Sequence, residues 1–214
     1  MESERHREQM HLLIDTLQDA WRDRRDFYVS GNMAVYFSET QAKKQDFRAP
    51  DFFLVLDVER RERKGWVVWE EDGRSPDVVI ELISESTEAA DRGRKKQIYE
   101  RALRVPFYGI YDPLSARFDA YELGADRVYH ALAPDEHGRV WCAPVGMYLG
   151  IHSLAWKHLP GPWLRWIDRD GKPLTDARAH AEEAETRARD AEDRLRRAEE
   201  ELARLRDELA RRGG

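Results

Sequence analysis

The stretch SPDVVIELISESTEAADRGRKKQIY at 75–99, followed by FYGIYD at 107–112, constrains the fold more than any other part of the chain. DVVIELIS is apolar without alternation, the mark of a central strand covered on both faces. A helix over 88–103, turning Ile98, Ala102 and Leu103 inward, separates it from a second apolar run closed by Pro113. Strand, helix and strand in that order predict a right-handed parallel crossover, and so an α/β core. One residue resists this reading. Glu81 sits inside the apolar run, where an anion is costly unless a cation or hydrogen-bond donors compensate it.

Around this unit the chain reads in order. Ser3 caps a first helix whose stripe is Met10, Leu13, Ile14, Leu17 and Trp21, ending near Arg24. FYVSGNMAVYF at 27–37 is one bulged strand or two short ones, and DFFLVL at 51–56 follows Pro50 as the next. Residues 57–74 are charged, with WVVW at 66–69 a short strand or a patch over the core. From 117 to about 170, RFDAYEL, RVYHAL, RVWCAPVGMYLGI and WLRWID alternate with EHG and RDGK turns, an antiparallel augmentation of the same domain. The expected domain therefore spans 1–172, with its Trp and Tyr residues serving packing.

Residues 173–214 differ. Leu174, Ala177, Ala181, Ala184, Ala188, Ala191, Leu195, Ala198, Leu202, Leu205 and Leu209 alternate spacings of three and four, a heptad seam. Arg187, Arg194 and Glu201 at g face Glu192, Glu199 and Arg206 at e with opposite signs, as a parallel homodimer through 174–209 requires. The plainer alternative is a single solvated helix held by i,i+4 pairs.

The totals exclude several classes. With a single cysteine, Cys142, there is no intramolecular disulfide, and Cys142 reads as a buried apolar group. No apolar run approaches membrane length, and the charged start MESERHREQM lacks a signal's apolar region, so a cytoplasmic protein is expected. The net charge of -6 opposes tight non-specific binding to nucleic acid, although Arg92, Arg94, Lys95 and Lys96 form a local basic cluster. From Ala177 to the end there are ten Arg and eleven Asp or Glu, so the acidity lies mostly in the globular part. The seven histidines show no zinc spacing, and there is no G-x-S-x-G, P-loop or dinucleotide fingerprint.

Glu81 should then have partners. Asp51 opens the preceding long strand, and Asp77 points to the face Glu81 uses, about 13 Å along the strand. The next helix returns Lys95 and Lys96 over the sheet. Two or three carboxylates with an amine suit a hard cation serving phosphodiester hydrolysis; strand-edge residues facing solvent are the competing reading.

APDFFLV at 49–55, WEE at 69–71, SPDVVIELISEST at 75–87, Asp91, Lys95 and Tyr99 in DRGRKKQIY, and YGIYDP at 108–113 together resemble the Uma2 family of restriction-endonuclease-like proteins, in the PD-(D/E)XK nuclease superfamily. The resemblance spans about 3–170. It implies a restriction-endonuclease-like core, a mixed sheet flanked by helices, and Mg2+- or Mn2+-dependent cleavage of DNA. On it, Asp51 matches the PD aspartate and Glu81 the acidic residue of the second motif, both as metal ligands, while Lys95 is the catalytic lysine, moved to the helix because Ile83 occupies its usual place. Lys96 is the near alternative, Asp77 a further ligand or support, and Gln97 and Tyr99 positioning or packing groups. Arg92, Arg94 and Lys96 would meet phosphate. His6 matches a position often held by histidine in the family, yet the sequence offers it no partner. Phe107 stands where relatives carry a carboxylate, so a silent nuclease-fold binding module, with the coiled coil mediating protein interaction, is the alternative function.

Overall fold

Helix α1, Glu4–Ala20, begins where Ser3 accepts the His6 N–H on its hydroxyl, and ends at Trp21, whose ring meets Phe27 edge-on at 5.1 Å. That contact stops the helix short of Arg24. Its expected stripe is buried at Met10, Leu13, Leu17 and Trp21, but so are His6, Glu8, Gln9 and Thr16. A surface helix buries one stripe; burying polar residues as well means that α1 is covered from more than one side.

The covering elements are two sheets. In this computed structural model the described residues are 3–38, 47–83 and 91–177, the side chains of Asp91 and Arg92 excepted, together with Ala181, Arg189, Glu192, Arg194, Arg196 and Arg197. Strands β1 (Phe27–Ser30), β3 (Phe52–Leu56), β5 (Val78–Leu82), β6 (Phe107–Asp112), β7 (Arg117–Leu123) and β8 (Tyr129–Ala131) lie in that order in a six-stranded mixed sheet. Only β5 and β6 pair in parallel, as the crossover requires; the other neighbours are antiparallel. All five residues of β5 are buried.

The antiparallel second half divides between two sheets. Strands β7 and β8 extend the six-stranded sheet, but β9 (Arg139–Cys142), β10 (Met147–His152) and β11 (Trp163–Ile167) form their own three-stranded sheet. Its inner residues Val140, Leu149, Leu164 and Trp166 share one core with Met10, Leu13 and Leu17 of α1 and with Phe52, Leu54, Ile80 and Leu82. Helix α1 is therefore the filling between two sheets. The segment 27–37 resolves into two short strands, β1 and β2 (Val35–Tyr36), divided at Asn32, and β2 pairs in parallel with β4 (Trp66–Val67).

A second core lies on the other face of the six-stranded sheet, where Phe53, Val55, Val79, Ile83, Tyr108 and Ile110 pack with Val35, Trp66, Tyr99 and Leu103. The last two come from helix α2, described over 91–103. It runs as π turns at Asp91–Lys95, a single α turn at Lys96–Ile98 and π turns again at Tyr99–Leu103. The wider turns change the phase of the inward face, so Tyr99 and Leu103 are buried while Ala102, expected inside, is exposed.

The chain divides into two units, Met1–Leu174 and Thr175–Gly214. Leu174, read as the first seam residue, instead packs on the globular core and donates its N–H to Trp166 O at 2.8 Å. From Ala177 on, the described residues of the second unit are helical and exposed, and beyond Ala177 and Ala181 the seam lies outside the described residues. Among the described residues, no helix is long and apolar enough to cross a membrane.

Gln9 joins α1 to the three-stranded sheet: its amide donates to Leu164 O at 2.8 Å and accepts from Leu164 N–H at 3.0 Å, fully buried. Gln9→Ala orphans both backbone groups, each costing about 1–3 kcal/mol. Urea denaturation should show a loss of about 2–5 kcal/mol with an unchanged m-value; a loss well under about 1 kcal/mol would mean that the clamp is dispensable.

Candidate active site

Glu81 lies on β5 with only 1% of its surface exposed. Ile80 and Leu82 face the α1 core, whereas Val79 and Ile83 face α2, so alternation turns Glu81 toward α2. There its carboxylate is compensated twice: Oε2 accepts from the Lys95 ammonium at 3.1 Å and Oε1 from the Tyr99 hydroxyl at 2.7 Å. Lys95 and Tyr99 are four apart on α2 and so lie on one side of it. The Lys95 side chain is 30% exposed, so one end of this cluster reaches solvent while Glu81 does not.

Asp51 precedes β3. The register Phe53↔Val79 and Phe52↔Ile80, continued by one residue, sets Asp51 across from Glu81. Its Oδ2 accepts the Leu82 N–H at 2.8 Å. Its Oδ1 lies 2.8 Å from His6 Nε2, both side chains being about one-tenth exposed. The backbone here is closely fitted. A Cβ on Gly31 would fall 2.1 Å from Asp51 O and 2.8 Å from Met10 Sδ, so only glycine lets the loop after β1 pass beneath Asp51.

The structure thus brings together Glu81, Lys95 and Tyr99, and sets Asp51 against the backbone of the Glu81–Leu82 peptide. Asp77 does not join them. It lies at the opposite end of β5, where Oδ2 accepts from Leu56 N–H at 2.7 Å and burial raises its pKa. Lys96 turns to Tyr121 of β7, its ammonium 3.4 Å from the ring centroid. Gln97 and Arg94 are exposed, and the Arg92 side chain lies outside the described residues. Among the described residues, no three His, Cys, Asp or Glu side chains group as a metal site.

Sequence reasoning missed His6 as a partner of Asp51. No short-range signal could have joined two residues 45 apart; only the packing of α1 across the lead-in to β3 does so.

With this geometry established, the comparisons decide the family. The model of the Uma2 family, described as a putative restriction endonuclease, matches residues 1–153. The chain belongs to the Uma2 family. As an Uma2 protein it is also similar to the crystal structure of "a putative nuclease belonging to DUF820" from Anabaena variabilis, with 13% identity, a TM-score of 0.47 and coverage of 64% of this chain and 71% of that one. No curated protein matches this Uma2 chain.

Burial holds the Tyr99 hydroxyl well above its ordinary 10.0, with the Glu81 carboxylate adding to the effect. Burial also raises Tyr129, and pushes Tyr111 up to about 12. A raised folded-state value means that the folded chain keeps a proton the unfolded chain releases, so stability is full below about pH 10 and falls as pH rises beyond it. Tyr99→Phe removes one such group. Its stability should decline less steeply above about pH 10, by up to about 1.4 kcal/mol per pH unit, in denaturant titrations at stepped pH. An identical slope would mean that Tyr99 does not titrate with unfolding.

Proposed function

We propose that this Uma2 protein is a metal-dependent endonuclease hydrolysing phosphodiester bonds in DNA, with Asp51, Glu81 and Lys95 as its catalytic residues. The observation that carries the proposal is the buried Glu81, compensated by Lys95 and Tyr99 beside an Asp51 that is itself fixed at both oxygens. Family membership supports nuclease chemistry, and the donor set fits a hard cation: both carboxylates supply oxygen, the ligand type preferred by Mg2+ and Mn2+. Asp51 and Glu81 would hold the ion, which when bound supplies charge stabilisation at the phosphate and a more acidic water. Lys95 would orient the attacking water and offset developing charge. His6 and Tyr99 act one step back, each fixing the rotamer of one carboxylate.

Dimerisation through the tail belongs to the same proposal and rests on the opposite-sign g and e pairs between Arg187 and Arg206; it would let two sites address two strands. The cytoplasmic setting rests on the lone, buried Cys142, whose thiol burial raises.

A second reading, a silent binding module of the same fold, is favoured by one observation: each oxygen of Asp51 and Glu81 already has a partner within the chain. Supercoiled plasmid with Mg2+ or Mn2+ separates the two. Wild type should nick it, and Glu81→Gln should be slower by about 100-fold or more. Equal nicking by both proteins, or by neither, would remove the nuclease assignment.

A further inference from the structure

Of the cations expected to meet phosphate, Lys96 lies over Tyr121 and Arg94 is exposed, while the Arg92 side chain lies outside the described residues. Another comes from the opposite direction. Arg48 lies three residues before Asp51, and its backbone is bridged both ways to Val35, with N–H···O contacts of 2.6 and 3.1 Å. Val35 is buried in the same core as Tyr99, which places Arg48 on the α2 side of the six-stranded sheet, the side Glu81 faces. Arg48 is half-buried as a residue, and its Nη1 donates to the Phe47 carbonyl at 2.7 Å. Beside it Phe47, 40% exposed, packs on Tyr36 with ring centroids 5.5 Å apart.

We infer that Arg48 is a phosphate-binding residue of this site, its guanidinium taking the non-bridging oxygens of a DNA phosphodiester on the side of the sheet that Glu81 faces. The inference rests on the nuclease reading and adds to it the residue that receives the substrate's charge. A planar guanidinium matches two phosphate oxygens, whereas an ammonium offers a single point of charge. In a chain of net charge -6, attraction to DNA has to be local, and a guanidinium already bonded to the Phe47 carbonyl loses less freedom on binding than a free one.

The test is fluorescence anisotropy of a labelled 20-base-pair duplex in Ca2+, which takes the same oxygen donors, over a range of salt. Arg48→Met should weaken binding about tenfold and make the log–log salt dependence shallower by about one unit. Arg48→Lys should keep the wild-type slope with intermediate affinity. If Arg48→Met does not fold, Arg48→Gln takes its place, losing charge but not polarity. Wild-type affinity and slope in the charge-removing variant would overturn the inference, as would a lowered melting temperature with an unchanged slope, which marks a structural role. Wild type that binds no duplex would overturn the nuclease reading along with it, whereas wild type that binds and nicks beside an unaffected Arg48→Met would sink this inference alone.

Discussion

The structure depends on one compensated charge. A carboxylate in the middle of the central strand loses its hydration, and effective penalties for a buried ion reach several kcal/mol. The Lys95 ammonium and the Tyr99 hydroxyl offset that penalty only from particular positions, 3.1 and 2.7 Å away. Helix α2 must therefore cross β5 at Glu81 in one phase, and the crossover from β5 to β6 is fixed by electrostatics as well as by apolar burial. An apolar residue of similar volume would serve packing equally well, since replacing buried ion pairs with hydrophobic groups is often neutral or stabilising.

Topology explains which other carboxylate joins it. Because β3 runs antiparallel to β5, the start of β3 lies beside the end of β5, and the start of β5 beside the end of β3. Asp51, just before β3, consequently bonds the N–H of Leu82, while Asp77, just before β5, bonds the N–H of Leu56. The two Pro-Asp pairs look alike in sequence and have opposite fates in the sheet. The first places a carboxylate at the strand ends where α2 begins; the second closes the far end of the ladder.

This contrast also marks what was legible in the sequence. Unbroken apolarity identified β5 and β6, and the intervening helix implied their parallel pairing, because those signals are local. Glu81 could be singled out because its charge violated the pattern around it. The phase of α2 was not legible, since a regular 3.6-residue period does not anticipate the π turns on either side of its single α turn. The separation of β9–β11 into their own sheet was equally hidden, because alternation reports a strand's two faces and not its neighbour. His6, expected to lack a partner, acquired one only through tertiary packing.

The polar residues of α1 then take on a common role. His6 bonds Asp51 at the edge of the six-stranded sheet, Gln9 bonds Leu164 of the three-stranded sheet, and Glu8 accepts from Lys157 at 2.7 Å and Trp156 at 3.2 Å in the loop joining β10 to β11. These three lie within one turn of the helix. The small sheet touches neither Glu81 nor Asp51 through any of these bonds, yet it holds the helix that orients Asp51. A shift of α1 sufficient to break the Leu164 clamp would carry His6 with it, because a helical turn is stiff compared with a side-chain rotamer. The second sheet therefore acts as a buttress, fixing one carboxylate through α1 while α2 fixes the other, and the site's geometry depends on both layers being packed at once.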